Sequence, residues 1–95
     1  MATKHTDEAI QEWLTEHASW SLKEGALRKS FRFDSFRDSI VFVNRLASLA
    51  DTEDHHPDID IRFNKVHVGL VTHDVGGISD NDTTMAEQID HATRR

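Results

Sequence analysis

The sequence predicts an α+β domain in the order α-β-β-α-β-β-α: a four-stranded antiparallel sheet with three helices packed on one face. Apolar residues recur at helical spacing in three segments, and they alternate with polar residues in the short segments between them. The connections within each pair of strands are short, which predicts antiparallel hairpins. Strands that are apolar on one face only need helices on that face alone.

The first helix is predicted over Thr6 to Ala18, because its apolar residues fall on one face at helical spacing. Two strands follow, over Trp20 to Glu24 and Ala26 to Phe33. The dipeptide Glu24-Gly25 is a turn signal between them. Lys29 falls in the inward row of the second strand, which weakens that pattern without removing it.

The second helix begins after Asp34 or Ser35 and carries two apolar stripes. The first consists of Phe36, Ile40, Val43, Ala47 and Ala50, and the second of Phe42, Leu46 and Leu49. We expect the first stripe to cover the sheet and the second to need other cover. A domain this small is marginal alone, so a homo-oligomer is predicted, at least a dimer.

The second half repeats the hairpin-then-helix order. Asp58 to Phe63 alternates strictly between polar and apolar residues, as a half-buried strand does. Asn64-Lys65 fits a hairpin turn, and Val66 to Thr72 returns as the fourth strand. After a loop at 73–77, Ser79 opens the last helix, which is predicted to run to about Ala92.

Composition excludes several classes of protein. The 95 residues suffice for one domain, predicted to span 1–95, and they include no cysteine, which removes disulfides and thiolate sites. The net charge of −6 disfavours nucleic-acid binding. No apolar run approaches the ~20 residues of a membrane helix, and the polar N-terminus lacks the apolar core of a signal peptide. We therefore expect a cytoplasmic protein.

The residues that could carry chemistry are histidines and one carboxylate: His55-His56 before Pro57, His73 at the end of the fourth strand, and Asp82. Counting back from the hairpin turn places His55 and His73 at the same open end. Each also has a plain structural interpretation. The histidine pair could be a polar loop, His73 a strand end, and Asp82 a helix cap three residues after Ser79.

Carboxylates lie close by in sequence, at Asp51, Glu53, Asp54 and Asp74. The remaining histidines, which we take as surface or packing residues, are His5, His17, His67 and His91. From the residues alone, three interpretations stay open. They are an imidazole acid–base site, a zinc site with three histidine ligands and Asp82 as the fourth, and a non-catalytic interaction module.

An ordered set of short motifs narrows this choice. It comprises Asp54-His55-His56-Pro57, Phe63, Lys65-Val66, Thr72-His73-Asp74, Gly77-Ile78-Ser79 and Asp82, and it extends from Trp20 through Phe31, Phe33 and Phe36 to Ile89. In this spacing the chain resembles the pterin-4a-carbinolamine dehydratases. The resemblance implies a lyase that dehydrates 4a-hydroxytetrahydrobiopterin, or a related pterin, to the quinonoid dihydropterin during tetrahydrobiopterin recycling. It implies a homodimer or homotetramer, and neither metal nor cofactor.

The resemblance also implies roles for residues. His55 and His73 would form the main acid–base pair, and Asp82 would orient an imidazole. His56 would bind and polarise the pterin and assist proton transfer, which makes all four residues catalytic. The residues implied in substrate contact are Asp54, His55, His56, Thr72, His73 and Asp74. The chain departs from the family at Phe63, which is often tyrosine, and at Asp51 and Asp74, where glutamate is common in the animal members.

Overall fold

A computed structural model describes residues 2–93 and has the predicted architecture. Its elements are α1 (Asp7–Glu16), β1 (Ser21–Lys23), β2 (Ala26–Arg32), α2 (Phe36–Glu53), β3 (Asp58–Arg62), β4 (Lys65–Leu70), a 3₁₀ turn (His73–Val75) and α3 (Asp80–Thr93). The strands form one antiparallel sheet in the order β1-β2-β4-β3. The predicted fold class is therefore confirmed. No helix in the described part of the chain is long and apolar enough to cross a membrane.

The second hairpin turns one residue earlier than predicted. The last pair of β3 and β4 is Arg62 with Lys65, so the turn consists of Phe63 and Asn64. Phe63 has a φ of 55° there, in the left-handed region. Lys65 is held in the strand because it also pairs with Arg32 of β2. The prediction of an Asn64-Lys65 turn was wrong because this second pairing partner is not visible from the local sequence.

The hydrophobic core lies between the helices and one face of the sheet. It comprises Ile10, Trp20, Leu27, Phe31, Phe42, Leu46, Val66, Val68, Leu70, Ile78, Met85, Ala86 and Ile89. Lys29 points to this same face, and its Nζ lies 2.6 Å from Asp90 Oδ1 of α3. The ammonium also lies over the rings of Trp20 and Phe31. A lysine can occupy the inward row because it has a carboxylate and two aromatic faces as partners.

The stripe of α2 that covers the sheet is not the predicted one. Phe42 and Leu46 of the second stripe are buried, whereas Phe36 of the first stripe is 50% exposed and Ala47 is exposed. Ala50 is the one buried residue of the first stripe. The ring of Phe42 packs against those of Phe31 and Phe33, with centroid distances of 4.8 Å and 5.0 Å. The assignment of the first stripe to the sheet was therefore wrong.

A buried serine explains why the pattern misled. Ser39 is fully buried in the same row as Phe42, and its hydroxyl donates to the backbone carbonyl of Ser35. A satisfied hydroxyl can lie inside at little cost, but it interrupts the apolar stripe in the sequence. The two stripes were otherwise nearly equal, and the position of the aromatic rings on β2 decided between them.

Candidate active site

The loop after α2 places two histidines on a stiff support. Asp54 ends the helix in the left-handed conformation with a φ of 49°. Its backbone N–H and that of His55 both donate to the carbonyl of Ala50. Pro57 then restricts His56 to extended geometry before β3 begins. The backbone of the pair is thus held on both sides.

A small closed loop after β4 lies opposite the loop that carries His55 and His56. Thr72 and Gly77 exchange backbone hydrogen bonds of 2.9 Å and 3.3 Å, which close the loop at its base. Between them lies the 3₁₀ turn that begins at His73 and ends on the left-handed Gly76, whose φ is 69°. His73 and Asp74 therefore project from a loop with a defined backbone.

These two loops meet around an open pocket of about 210 Å³. It is lined by Asp54, His55, His56, Val71, Thr72, His73 and Asp74. All six residues implied in substrate contact lie at this pocket, at the open end of the β3–β4 hairpin. Val71 is the one lining residue that the sequence did not indicate; it follows β4 directly, in the run of residues between the strand and His73.

Asp82 does not line the pocket but lies directly behind His55. Its side chain is fully buried, and its Oδ1 lies 2.6 Å from His55 Nε2. Its Oδ2 accepts from the Thr72 hydroxyl at 2.8 Å and from the Ser79 backbone N–H at 2.9 Å. Asp82 thus caps α3 through the Ser79 N–H and also holds the imidazole of His55. The helix-cap interpretation and the imidazole-orienting interpretation therefore both apply to this side chain.

The other two site histidines are more exposed than His55. His56 Nε2 lies 3.2 Å from Asp51 Oδ1, but the two side chains are 62% and 79% exposed. An ion pair this exposed contributes little to stability. His73 is also exposed. The pocket therefore combines one imidazole held by a buried carboxylate with two that solvent or a ligand can reach.

The remaining histidines lie outside the pocket. His17 stacks on the ring of Trp13, with centroids 4.1 Å apart, and its Nδ1 forms a hydrogen bond with the Trp13 backbone carbonyl. His67 bonds to Ser30 on the open face of the sheet, and His5 bonds to Thr83 on α3. Their contacts are those of packing and surface residues.

Metal binding gains no support from this geometry. Within residues 2–93, no group of three or more histidines and carboxylates is arranged to hold a metal ion. The backbone of the histidine pair is held so that His55 is directed to Asp82 and His56 to Asp51. The arrangement instead presents three imidazoles and two carboxylates to one pocket.

Fold and pocket together define a small α+β protein with a pocket lined by imidazoles and carboxylates. The family model of pterin 4 alpha carbinolamine dehydratase matches residues 3–92. A protein of Mycobacterium avium is 50% identical over 84 residues, which are 88% of this chain and 89% of that protein. One of Picosynechococcus is 43% identical over 95% of this chain and 98% of its own length. Both carry the name pterin-4-alpha-carbinolamine dehydratase provisionally.

Solved structures agree in fold. A protein of Brucella melitensis described as a transcriptional coactivator/pterin dehydratase superimposes with a TM-score of 0.88 at 28% identity, over 94% of this chain and 97% of that one. A pterin dehydratase-like protein described as a RuBisCO assembly factor of the alpha-carboxysome gives 0.62 at 25% identity, over 76% and 83%. This chain belongs to the pterin-4a-carbinolamine dehydratase family.

Proposed function

We propose that the protein is a hydro-lyase that converts a 4a-hydroxytetrahydropterin to the quinonoid dihydropterin and water. Membership of the family supports the substrate class. The observation that carries the proposal is the pocket itself, in which His55 is held by the buried Asp82 while His56 and His73 line the same cavity. A set of imidazoles in different surroundings allows one to act as acid while another acts as base.

The reaction needs two proton movements. A proton is delivered to the 4a hydroxyl, whose C–O bond breaks to release water. A proton is removed from the neighbouring ring nitrogen, whose electrons form the new C=N bond. No electron acceptor is needed because the overall oxidation level does not change. General acid–base catalysis supplies roughly 10²–10⁴-fold, which is the scale we expect here.

The proposed roles of the individual residues follow the family resemblance. His55 and His73 form the proposed acid–base pair, and His56 binds the pterin and polarises it. Asp54 and Asp74 are carboxylates at the rim of the pocket. Their acceptors suit the donor-rich pyrimidine edge of a pterin.

Stopped-flow absorbance with chemically generated 4a-hydroxytetrahydropterin tests the proposal. We expect the protein to accelerate dehydration by at least about a hundredfold over buffer, and to do so equally after exhaustive chelation. Turnover that is lost on chelation and restored by zinc would favour the metal-site alternative. A rate equal to that of buffer would rule out the enzyme.

A second candidate function is a protein-interaction module. Phe36 and Val41 expose apolar surface along α2, and two structural relatives are described as a transcriptional coactivator and an assembly factor. This function predicts binding of a partner protein that survives His55→Ala and His73→Ala and is lost in Val41→Lys. If this is the protein's only function, dehydration of the pterin in its presence should be no faster than in buffer.

A further inference from the structure

Two buried hydroxyl groups stand behind the Asp82–His55 pair. Thr72 is 7% exposed and Ser79 is fully buried. Their side-chain oxygens lie 2.6 Å apart, and the Thr72 hydroxyl continues to Asp82 Oδ2 at 2.8 Å. The Ser79 oxygen also accepts the backbone N–H of Asn81 at 3.1 Å. The four residues form one chain of hydrogen bonds that ends on the carboxylate.

The direction of this chain follows from counting hydrogens. Thr72 has a single hydroxyl hydrogen, and it is donated to Asp82. The short contact between the two hydroxyls therefore requires Ser79 to donate to Thr72. Were the order reversed, the Ser79 hydrogen would have no acceptor among the partners that the structure gives it within residues 2–93. Each hydrogen thus points toward Asp82.

The carboxylate therefore receives two donors on the oxygen remote from His55. Hydrogen bonds to a carboxylate oxygen stabilise its charged form. Asp82 Oδ2 accepts hydrogen bonds from the Thr72 hydroxyl and the Ser79 N–H. The proton between Asp82 Oδ1 and His55 Nε2 is therefore bonded to Nε2 of the imidazole. The neutral ring then carries its hydrogen on Nε2, and its Nδ1 is an acceptor that no group within residues 2–93 occupies.

We propose that Thr72 and Ser79 are positioning residues, which act through Asp82 to fix the tautomer of His55 and leave Nδ1 as the nitrogen that takes a proton from the substrate. This inference rests on the proposed function for its catalytic part. It also changes the expected role of Thr72 from a substrate contact to a donor to Asp82, because its hydroxyl hydrogen is already in use.

Nitrogen-15 NMR of histidine-labelled protein tests the tautomer without reference to activity. With the His55 signals assigned by their loss in His55→Gln, we expect a protonated Nε2 and an unprotonated Nδ1 in the neutral ring. A predominantly Nδ1-protonated ring in the unsubstituted protein would overturn the proposal. This measurement stands even if a variant at Thr72 fails to fold.

Paired variants test the action through Asp82. Thr72→Val removes the donor at nearly constant volume, and we expect the Nδ1-protonated form of His55 to appear and kcat to fall about tenfold with KM little changed. Thr72→Ser keeps a hydroxyl and should restore both. An unchanged tautomer and kcat in Thr72→Val would overturn the proposal.

Thr83→Val is the matched control. Thr83 is 6% exposed and lies on α3 next to Asp82. Its hydroxyl contacts His5 and the Asp80 carbonyl instead of Asp82. We expect it to lower stability and leave the His55 spectrum unchanged. If the unsubstituted protein shows the expected spectrum but no dehydration, the proposed reaction fails while the positioning of His55 stands.

Discussion

Asp82 is the residue on which the candidate site depends most, because it is fully buried and accepts hydrogen bonds from three donors in different segments. Removal of a buried carboxylate that satisfies so many donors affects both folding and chemistry. His73 has no comparable structural duty, since it is exposed, and His55 is one of the three partners of Asp82. The substitutions at these positions should therefore separate catalysis from stability.

His55→Ala and His73→Ala should each lose most of the turnover and remain folded. We expect kcat to fall roughly 10²–10⁴-fold, because each substitution removes one partner of the acid–base pair. Stopped-flow rates together with far-UV circular dichroism check this. A variant with a rate close to that of the unsubstituted protein would remove that histidine from the pair.

Asp82→Asn distinguishes the orienting role from the capping role. The amide keeps one accepting oxygen, but its NH₂ group only donates and it carries no charge to stabilise a protonated His55, so we expect a moderate loss of kcat. Asp82→Ala should in addition cost about 1 kcal/mol through the lost cap. Rates and urea unfolding measure the two effects. Full activity with reduced stability in Asp82→Asn would leave capping as the only role.

At the scale of elements, the N-terminal segment clamps the start of α3. Thr3 and Asp80 exchange hydrogen bonds, since the Thr3 N–H donates to Asp80 Oδ1 at 2.8 Å and the Asp80 N–H to the Thr3 carbonyl at 3.0 Å. His5 N–H adds a bond to the Ile78 carbonyl. The Thr3 N–H holds the pKa of the Asp80 carboxyl below its ordinary value of 3.8. The clamp lies next to the hydroxyl chain that reaches Asp82.

Asp80→Asn should lower stability in a pH-dependent way. A carboxyl whose folded-state pKa is lowered adds stability above its unfolded value and loses that contribution as pH falls through the folded value. The difference in unfolding free energy between the two proteins should therefore be constant from neutral pH to about pH 5 and shrink below about pH 4. Urea unfolding at several pH values checks it, and a difference that persists at pH 2 would contradict it.

The contact between β2 and α3 depends on a partly buried ion pair. Asp90 accepts Lys29 Nζ at 2.6 Å and the Trp20 indole N–H at 2.9 Å. Asp90→Ala leaves both donors without their partner and should cost about 2 kcal/mol. Lys29→Met keeps the apolar stem over the rings and should cost less. Urea midpoints measure both, and an Asp90→Ala variant as stable as the original would show that water replaces the carboxylate.

At the scale of the whole molecule, α2 leaves apolar surface that its own chain does not cover. Phe36 and Val41 are 50% and 45% exposed on this helix. The strands β1 and β3 form the two edges of the sheet, and an edge is a template for pairing with another chain. A dimer with twofold symmetry can cover both kinds of surface.

We predict a homo-oligomer, which light scattering at micromolar concentration would detect. A mass near the monomer's 10.9 kDa would contradict it. Val41→Lys should weaken a contact that uses α2, while Ser48→Lys on an exposed polar position of the same helix should not. Leu46 is unsuited to this test, because it is 1% exposed in the core and Leu46→Glu would unfold the chain instead.

The short-range patterns of the sequence predicted most of the fold and the grouping of the candidate residues at one pocket. Helical spacing and strand alternation located each element within a few residues, since they arise from the chain's own geometry. The hairpin turns brought His55 and His73 to one end, because register follows from counting along paired strands. The order and spacing of the histidine motifs indicated the family. These signals are local, so they are present in the amino-acid sequence by itself.

What only the tertiary structure decided were choices between nearly equal local alternatives. The stripe of α2 that faces the sheet depends on the rings of β2 that Phe42 meets. The position of the second turn depends on the pairing of Lys65 with a distant strand. Thr72, Ser79 and Asp82 meet His55 because the end of β4 and the start of α3 pack against the loop after α2. Such contacts depend on how the elements pack in space, and no periodicity within one element records them.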